Sequence, residues 1–364
     1  TLRRFLEDKS PTSEVRRLMA TETGYDTAVW KQLSQELGLT GIHIPEAYGG
    51  MGFGISELGI ALEEAGRALL CAPLFASTVM AATAILEAGT EEQKQALLPP
   101  VASGEEIATL AVAEDSGNWT ADGVAITATA NGSRFTLDGV KSFVLDGHTA
   151  DLIVVAARRP GSTGADGLSL FTVAGNATGL DRRRLEAVDA TRKIARLTFD
   201  GVEAELLGSE GAAAAPLDRT LDLAAICLAH EMVGGAERLR EDALAYINMR
   251  VQFGRPIASF QAIKHKTADI LLDVELAKAG AYYAAAAADG PDEDDNLAAI
   301  AAIAKAAASE TYIQTAVYAV QMHGGIGFTW DNDTHLWFKR AKASEVFLGH
   351  ASQHRERLIQ AWNV

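Results

Sequence analysis

The sequence is poor in cysteine and has no long apolar run. Its 364 residues include two cysteines, Cys71 and Cys227, in apolar helical surroundings without metal-ligand spacing. We interpret both as small core residues in a reducing compartment, so no disulfide is expected. The first ten residues lack an apolar signal core, and no uncharged run reaches the roughly 18 apolar residues of a membrane span. These absences predict a cytoplasmic protein with no membrane span.

Positive charge is also scarce. The chain has 32 Lys and Arg residues against 48 Asp and Glu, which gives a formal net charge of −16. A surface that binds nucleic acid or an anionic membrane is therefore not expected, and an anionic ligand would need locally concentrated cations. The histidines His335, His350 and His354 are scattered rather than spaced as metal ligands, so we predict no metal.

Three segments differ in the period of their apolar residues. Helical periodicity predicts an N-terminal helical domain over 1–105, and long helices with short joins predict a C-terminal four-helix bundle over 211–364. Between them, 106–210 alternates like β structure. There, Asn131-Gly132 indicates a hairpin, and 152–158, 168–174 and 194–200 are predicted strands. An acidic solvated turn, GPDEDDN, is predicted over 290–296.

An amphipathic helix dominates the stretch from Thr220 to Lys266. Its apolar residues recur at three- and four-residue spacing through Tyr246, and the next position of that buried stripe is Arg250. Gly254 and Pro256 then end the helix. Arg250 is either a cation that complements the helix dipole or a ligand for a phosphate or carboxylate. The second long helix is expected to begin near Gln261.

A glycine-rich run, QMHGGIGF, starts at Gln321 and ends another predicted helix. The paired glycines Gly324 and Gly325 allow close approach to the backbone, and the Gln321 amide can both donate and accept hydrogen bonds. A plain glycine helix cap is the alternative. The neighbouring His323 is interpreted as a structural donor.

Two runs of sequence carry a resemblance to a known family. They are RVQFGRPIASFQAIKHKTADI, from Arg250, and QMHGGIGFTW, and LGLTGIHIPEAYGG near the N-terminus adds to them. The sequence resembles the acyl-CoA dehydrogenase flavoprotein family over nearly its whole length. The resemblance implies a mostly α fold with a β-barrel middle domain.

The resemblance also implies an FAD site shared between subunits. This chain would contribute residues to the adenine and diphosphate half of a cofactor held mainly by its neighbour, and Phe143 would lie against the flavin ring. The implied cofactor-binding residues are Arg250, Gln252, Phe253, Gln261, Gln321, Gly324, Gly325 and Phe143.

The sequence departs from the family pattern at four positions. Ala113 and Leu145 replace residues whose hydroxyl groups contact the flavin, which counts against a complete flavin site within this chain. The two positions at which relatives carry the catalytic glutamate are Leu348 and Ala224, and neither side chain can accept a proton. Glu345 is the remaining candidate base, although a salt bridge to Lys342 is the alternative role. The catalytic base is therefore unknown.

The function implied is FAD-dependent α,β-desaturation of an acyl-CoA thioester, as in β-oxidation. In lacking both glutamates, the chain resembles one subunit of the two-subunit dehydrogenases that act on steroid side-chain CoA esters. A hetero-tetramer is therefore expected before a homo-tetramer. The expected electron acceptor is of the electron-transfer flavoprotein type. The alternatives are a non-catalytic acyl-CoA- and FAD-binding partner subunit, an acyl-CoA oxidase and a flavin monooxygenase.

Overall fold

A computed structural model describes residues 1–132, 134–290 and 296–362. The chain divides into two compact units. One comprises Thr1–Arg17, Ile55–Leu70 and Ala225–Val364, and the other comprises Leu18–Gly54 and Cys71–Ala224. Within the described ranges, no helix combines the length and the apolar character that a membrane crossing requires.

The helices and strands follow the predicted order, with helical structure at both ends. The α-helices are α1 Leu2–Lys9, α2 Thr12–Met19, α3 Thr27–Lys31, α4 Ile55–Arg67, α5 Thr83–Ala88, α6 Glu91–Ala102, α7 Ala214–Met249, α8 Gln261–Ala288, α9 Leu297–His323, α10 Thr334–Val346 and α11 Ala351–Ala361. The strands are β1 Ala108–Ala111, β2 Thr127–Asn131, β3 Arg134–Leu145, β4 Leu152–Arg158, β5 Leu168–Ala174, β6 Leu180–Leu185, β7 Ile194–Leu207, β8 Val251–Gln252 and β9 Arg255–Pro256.

Glycines bring α4 and α7 into main-chain contact. A Cβ added at Gly66 would lie 2.0 Å from the carbonyl oxygen of Glu231, and one added at Gly234 would lie 1.9 Å from the carbonyl oxygen of Glu63. Because any side chain at either position would overlap backbone atoms, the two helices can approach this closely only where both carry glycine. This contact joins the segment 55–70 to the C-terminal helices.

A second contact fixes the start of α4. The carboxylate of Asp289, at the end of α8, accepts hydrogen bonds from the backbone N–H groups of Ile55 (2.7 Å) and Ser56 (2.8 Å). These donors have no partner inside their own helix, so a residue distant in sequence serves as the cap. In the same unit, α9 packs against α8, α10 and α11.

The middle of the chain forms a closed β-barrel. Hydrogen-bonded pairs run from β4 to β2, β3, β7, β5 and back to β4, with β1 added to β4 and β6 added to β7. Closure leaves no open edge among these five strands. The fold class predicted from the sequence, mostly α with a β-barrel middle domain and helical regions on both sides, is confirmed.

Most of the predicted elements match the observed ones. The strands 152–158 and 168–174 are as predicted, and the strand predicted over 194–200 continues to Leu207. In the predicted hairpin, Asn131 pairs with Arg134 and Gly132 has a φ of +65°. Of the acidic turn predicted over 290–296, residues 291–295 lie outside the described part. Both cysteines are buried, as predicted.

The contact between α4 and α7 yields a stability prediction. Gly234→Ala should lower the free energy of unfolding by about 3 kcal/mol, because its methyl group would displace the backbone of α4. Urea denaturation followed by circular dichroism measures this change. An unchanged midpoint would show that the two helices can separate at no cost, contrary to the proposed role of the glycine.

Candidate functional site

Arg250 does not lie on a buried stripe, so that prediction is wrong. The predicted stripe on α7 is buried through Ala243, Tyr246 is half-buried, and Arg250 is exposed. The physical reason is that α7 ends at Met249, and Arg250 starts a β8–β9 hairpin in which its carbonyl accepts a hydrogen bond from the N–H of Ile257 (2.9 Å). The guanidinium is therefore available to a ligand or to another subunit.

The hairpin projects an aromatic ring from its tip. Phe253 (φ +53°) and Gly254 (φ +77°) form the two-residue turn between paired Gln252 and Arg255, and two left-handed residues are typical of a type I′ turn. Phenylalanine is strained in this conformation, and Phe253 is 91% exposed. Its ring lies edge-on to Phe260 (centroids 6.1 Å apart), and strain at an exposed aromatic residue makes the hairpin tip a candidate contact site.

A glycine turn follows α9. Gly324 has φ +68° and ψ −146°, which only glycine adopts readily. Gly325 needs no such conformation, and a Cβ added there would meet no atom of the described chain within 4 Å. Its missing side chain therefore leaves open space beside the backbone. Such space suits close approach of a ligand or of another subunit.

The helix ends that lead into the hairpin and into the glycine turn contact each other. The rings of Tyr246 and His323 stack with centroids 4.3 Å apart, and His323 Nδ1 hydrogen-bonds the carbonyl oxygen of Ala319 (2.8 Å). Lys266 Nζ donates to the side-chain oxygen of Gln321 (3.2 Å) and lies 4.1 Å from the ring centre of Tyr318. His323 is thus a buried structural group. The lysine adds a cation beside Gln321 that the sequence analysis did not include.

The hairpin and the glycine turn together form a surface whose groups fit the adenine and diphosphate half of FAD. Arg250 supplies a guanidinium that has no ion pair among the described residues, Gln252 supplies an amide, and Gly325 supplies space for phosphate oxygens at the backbone. Gln261 is exposed at the first position of α8. The predicted members from 250 to 325 thus lie in one unit, and their role toward FAD stays a prediction.

Phe143 occupies a strained corner of the barrel. The register between β3 and β7 shifts between Lys141 and Val144, and within this irregularity Phe143 has a φ of +59°. The shift turns the ring outward, and it is 39% exposed. An exposed aromatic ring at a β-bulge is suited to stack against a planar ligand.

Two clamps hold the loop beside Phe143. Lys141 is fully buried, and its Nζ donates to Val112 O (2.7 Å) and to the carboxylate of Glu114 (3.0 Å). Burial lowers the pKa of Lys141 to about 8, and the Glu114 carboxylate opposes that change. The next residue, Ser142, donates to Asp115 (2.6 Å), whose carboxylate also binds Arg196 and therefore has a lowered pKa.

The clamped loop offers no side-chain hydroxyl at either departure from the family pattern. Ala113 and Leu145 are both buried and apolar, although the Ala113 carbonyl accepts a hydrogen bond from the N–H of Ser142 (2.9 Å). A backbone hydrogen bond thus fixes this corner, while neither position carries a side-chain hydroxyl. Phe143 is thus placed to stack against a planar ligand, whereas the side chains of Ala113 and Leu145 offer such a ligand no hydrogen bond.

The turn between α10 and α11 carries Leu348. Leu348 is buried, with a φ of +59°, and its carbonyl accepts a hydrogen bond from His354 Nε2 (2.9 Å). Lys305, fully buried on α9, donates from its Nζ to the carbonyl oxygens of Glu345 (2.9 Å) and Gly349. Two buried basic side chains therefore fix the backbone of this turn.

The pKa values of these two side chains are strongly displaced. Burial lowers the pKa of Lys305 to about 7, against the opposing effect of the Glu345 carboxylate. Burial likewise lowers the pKa of His354 to about 4, and the nearby Lys305 adds to the effect. Burial thus disfavours the protonated form of both side chains. An alanine-rich helix gave no sign in the sequence that Lys305 would be buried.

The acidic side chains near the two glutamate positions have other partners. Glu345 forms an ion pair with Lys342, which is the structural role weighed above. Glu231 lies seven residues after Ala224 on α7 and forms a buried salt bridge with Arg340 (2.8 Å). Ala224 itself is fully buried. Among the described residues, no group of three or more His, Cys, Asp or Glu side chains is arranged to hold a metal ion.

Models of known protein families match nearly the whole chain. Three family models match: the acyl-CoA dehydrogenase N-terminal domain over residues 1–105, the middle domain over 109–202 and the C-terminal domain over 214–362. These matches agree with the helical, barrel and helical order of the structure.

Individual relatives resemble the chain over similar lengths. Acyl-CoA dehydrogenase IpdE2 of Mycobacterium tuberculosis is 33% identical over 94% of this chain and 89% of its own length. A variant of the Tcur3481–Tcur3483 steroid ACAD is 33% identical, with a TM-score of 0.88, over 100% of this chain and 95% of its own. The ChsE4–ChsE5 complex from Mycobacterium tuberculosis is 26% identical, with a TM-score of 0.88, over 100% and 95%.

The displaced pKa of Lys305 predicts a pH dependence of stability. The unfolded chain keeps the lysine proton up to its ordinary pKa of 10.5, whereas the native state releases it near 7. The free energy of unfolding should therefore rise as the pH increases from about 7 to about 10.5, and it should lack this contribution below pH 7.

Comparison with Lys305→Met isolates this contribution. Urea denaturation across that pH range should show a smaller increase in stability for the variant, because no amine remains to titrate. Parallel curves for the two proteins would rule out a displaced pKa at Lys305. Lys342→Met, which removes a half-exposed amine close by, is the matched control and should keep the increase.

Proposed function

Because the chain belongs to the acyl-CoA dehydrogenase family, we propose that it works as one subunit of a hetero-oligomer and contributes to the FAD site of a related subunit. The family identity makes it an FAD-dependent oxidoreductase of acyl-CoA thioesters. When bound, FAD supplies the hydride acceptor for α,β-desaturation.

One contrast carries the proposal. The two positions that hold the catalytic glutamate in relatives are buried and apolar here, at Leu348 and Ala224, so neither can remove an α-proton. The surface formed by the hairpin and the glycine turn nevertheless keeps its exposed guanidinium at Arg250 and the space at Gly325. Residues that serve another subunit are present, whereas a base that serves this chain's own site is missing.

The residues of the surface would have distinct tasks. Arg250 would neutralise the diphosphate, Gln252 and Gln321 would hydrogen-bond the adenine half, and Phe253 would cover it. Gln261 would complete the edge of the same surface. In the barrel, Phe143 would stack against a planar ring, with Lys141 holding the loop beside it.

The relatives supply the substrate class and the partner that we propose. One similar structure is described as a steroid ACAD, and another is a complex of two different chains, ChsE4 and ChsE5. By analogy, we propose a bulky steroid-type acyl-CoA as substrate, a related subunit as partner and an electron-transfer flavoprotein as acceptor. We also propose a cytoplasmic location and domain limits of 1–105, 106–210 and 211–364.

Arg250→Ala tests the shared cofactor site without measuring turnover. The assembled protein should lose FAD, by about 10-fold or more in affinity, because a charge-assisted contact to phosphate is removed. Flavin absorbance per chain after gel filtration measures the loss. Gly325→Val should act in the same direction by filling the open space beside the backbone.

The control for this experiment is Arg4→Ala, which removes an exposed arginine from α1. It should leave the flavin content unchanged. Full FAD occupancy in both Arg250→Ala and Gly325→Val would show that this surface does not bind the cofactor, and the contribution of this chain to a neighbour's FAD site would have to be abandoned.

Activity of the chain by itself is the second test. The purified chain should be inactive or nearly so with an acyl-CoA and an artificial electron acceptor, since loss of a general base costs ~10²- to 10⁴-fold in rate. Co-expression with a related subunit that carries the glutamate should restore turnover and give fewer FAD molecules than chains.

An active homo-tetramer with one FAD per chain would contradict the proposal. Glu345→Gln would then identify the base. Loss of activity with retained FAD would indicate that Glu345 leaves its ion pair with Lys342 to act on substrate. Retained activity would indicate that a group other than Glu345 removes the α-proton.

A further inference from the structure

A cavity of about 260 Å³ opens among the helices α1, α2, α4, α7 and α10. All of its lining residues belong to one compact unit of the chain. Three of them are arginines from three different helices, namely Arg3 of α1, Arg67 of α4 and Arg238 of α7. In a chain of formal charge −16, three guanidinium groups on one cavity are a local concentration of cations. None of them belongs to the surface proposed to bind FAD.

Each of the three arginines has a carboxylate partner and still keeps unused donors. Arg3 binds Glu64 through Nε (2.9 Å) and Nη2 (2.6 Å), which leaves Nη1. Arg238 binds a carboxylate one turn further along α7 through Nε (2.7 Å), which leaves both Nη groups. Arg67 binds Glu241 through Nη2, while its buried Nη1 has no hydrogen-bond partner among the residues that the structure describes. These pairs therefore satisfy only part of each guanidinium.

Arg3 and Arg67 experience the same acids. Glu237 lies 3.9 Å from Nη1 of Arg67, which is too far for a hydrogen bond. The hydrogen bond with Glu64 raises the pKa of Arg3 against the opposing effect of burial, and the negative charges of Glu237 and Glu241 raise it further. Both guanidinium groups therefore remain protonated, and an anion that enters the cavity meets two cations together.

Two further residues of the lining carry unsatisfied donors. Trp337 is 2% exposed, and its indole N–H has no acceptor in the described part of the chain. Thr12 is the first residue of α2, so its backbone N–H has no partner within that helix. Among the acids of the lining, Glu64 is bound by Arg3, whereas Glu7 has no partner in the described ranges. The lining therefore has more unused donors than unused acceptors.

The arrangement of these donors selects the shape of the occupant. One bidentate arginine satisfies a planar carboxylate, whereas a tetrahedral phosphoryl group directs its oxygens to several sides at once. We propose that this cavity binds a phosphoryl group through Arg3, Arg67 and Arg238, as inorganic phosphate or as part of a small phosphorylated molecule. Leu6 and Pro11 provide an apolar wall for the rest of such a molecule. The volume, below the roughly 300 Å³ at which sites for larger ligands begin, limits the occupant to a small one.

The bound group would fasten the N-terminal helix to the rest of its unit. Leu6 is the buried residue of α1, and just beyond the end of this helix Ser10 Oγ donates to Ala68 O (3.1 Å). A phosphoryl group shared by the three arginines would join α1 directly to α4 and α7. The melting temperature should therefore rise with the phosphate concentration.

Equilibrium dialysis of the full-length chain against radiolabelled inorganic phosphate tests the site. Phosphate should bind saturably, and Arg238→Gln should weaken its binding ~10-fold or more, because a charge-assisted contact is lost. Arg355→Gln, which removes an exposed arginine paired with Glu310 in the same unit, is the control and should bind phosphate as the wild type does. Equal affinity of Arg238→Gln and the wild type overturns the proposal.

Glu7→Gln tests the site by a gain of affinity, which a misfolded variant cannot imitate. Removing this exposed acid from the lining should tighten phosphate binding about 2-fold or more, because a like charge no longer opposes the anion. Asp8→Asn is the matched control, since Asp8 carries the same charge on the next residue of α1, is paired with Lys9 (2.9 Å) and does not line the cavity. An equal gain in the two variants would reflect net charge alone and overturn a local site.

Competing anions distinguish the two sources of the phosphoryl group. Stronger displacement of labelled phosphate by glycerol phosphate than by unlabelled phosphate assigns the site to a phosphorylated molecule, and weaker displacement assigns it to free phosphate. Acetate at the same ionic strength should displace little. Displacement by acetate as effective as that by phosphate would overturn the recognition of a tetrahedral group.

Arg250→Ala separates the cavity from the surface proposed to bind FAD. This variant should retain the phosphate that Arg238→Gln loses. Loss of phosphate in Arg250→Ala, with retention in Arg238→Gln, would place the phosphate at the hairpin and overturn the cavity as its site. The measurements need no flavin, so they succeed or fail independently of the proposed function.

Discussion

The main-chain contact between α4 and α7 is the constraint on which the helical unit depends. Gly66 and Gly234 let two backbones touch, and any side chain at either place would overlap main-chain atoms of the other helix unless the helices moved apart. Since α7 leads directly into the β8–β9 hairpin, a helix held this rigidly fixes the position at which Arg250 leaves the surface. Functional contacts at a hairpin tip are more accurate when the helix behind them cannot shift.

Buried lysines support the backbone where side-chain chemistry is expected in both units. Lys141 holds the loop beside Phe143, and Lys305 holds the turn that carries Leu348. Lys141 binds the main-chain oxygen of Val112 together with the Glu114 carboxylate, and Lys305 binds two main-chain oxygens, so each lysine fixes the path of its segment. The conformation of the turn therefore does not depend on the side chain at Leu348.

Strands with a regular residue pattern were predicted correctly from the sequence, whereas local irregularities of the backbone and of burial were not. Alternating residues located β4, β5 and part of β7, and a run of motifs located the family. Periodicity failed at Arg250, because a regular spacing continues past the residue where a helix actually stops. The bulge at Phe143 and the burial of Lys305 depend on contacts between distant segments. A single sequence carries no record of such contacts, and the cavity beside Arg238 was equally invisible because it exists only where several helices meet.

The depressed pKa of Lys305 has a chemical consequence for a protein that handles thioesters. An amine with a pKa near 7 carries a substantial unprotonated fraction at neutral pH, and unprotonated amines accept acyl groups from thioesters. Exposed lysines escape this damage because they stay protonated. Lys305 escapes it for a different reason, since its side chain has no accessible surface and its amine is hydrogen-bonded to two main-chain carbonyl oxygens. The packing that lowers the pKa of this lysine also keeps acyl thioesters away from it.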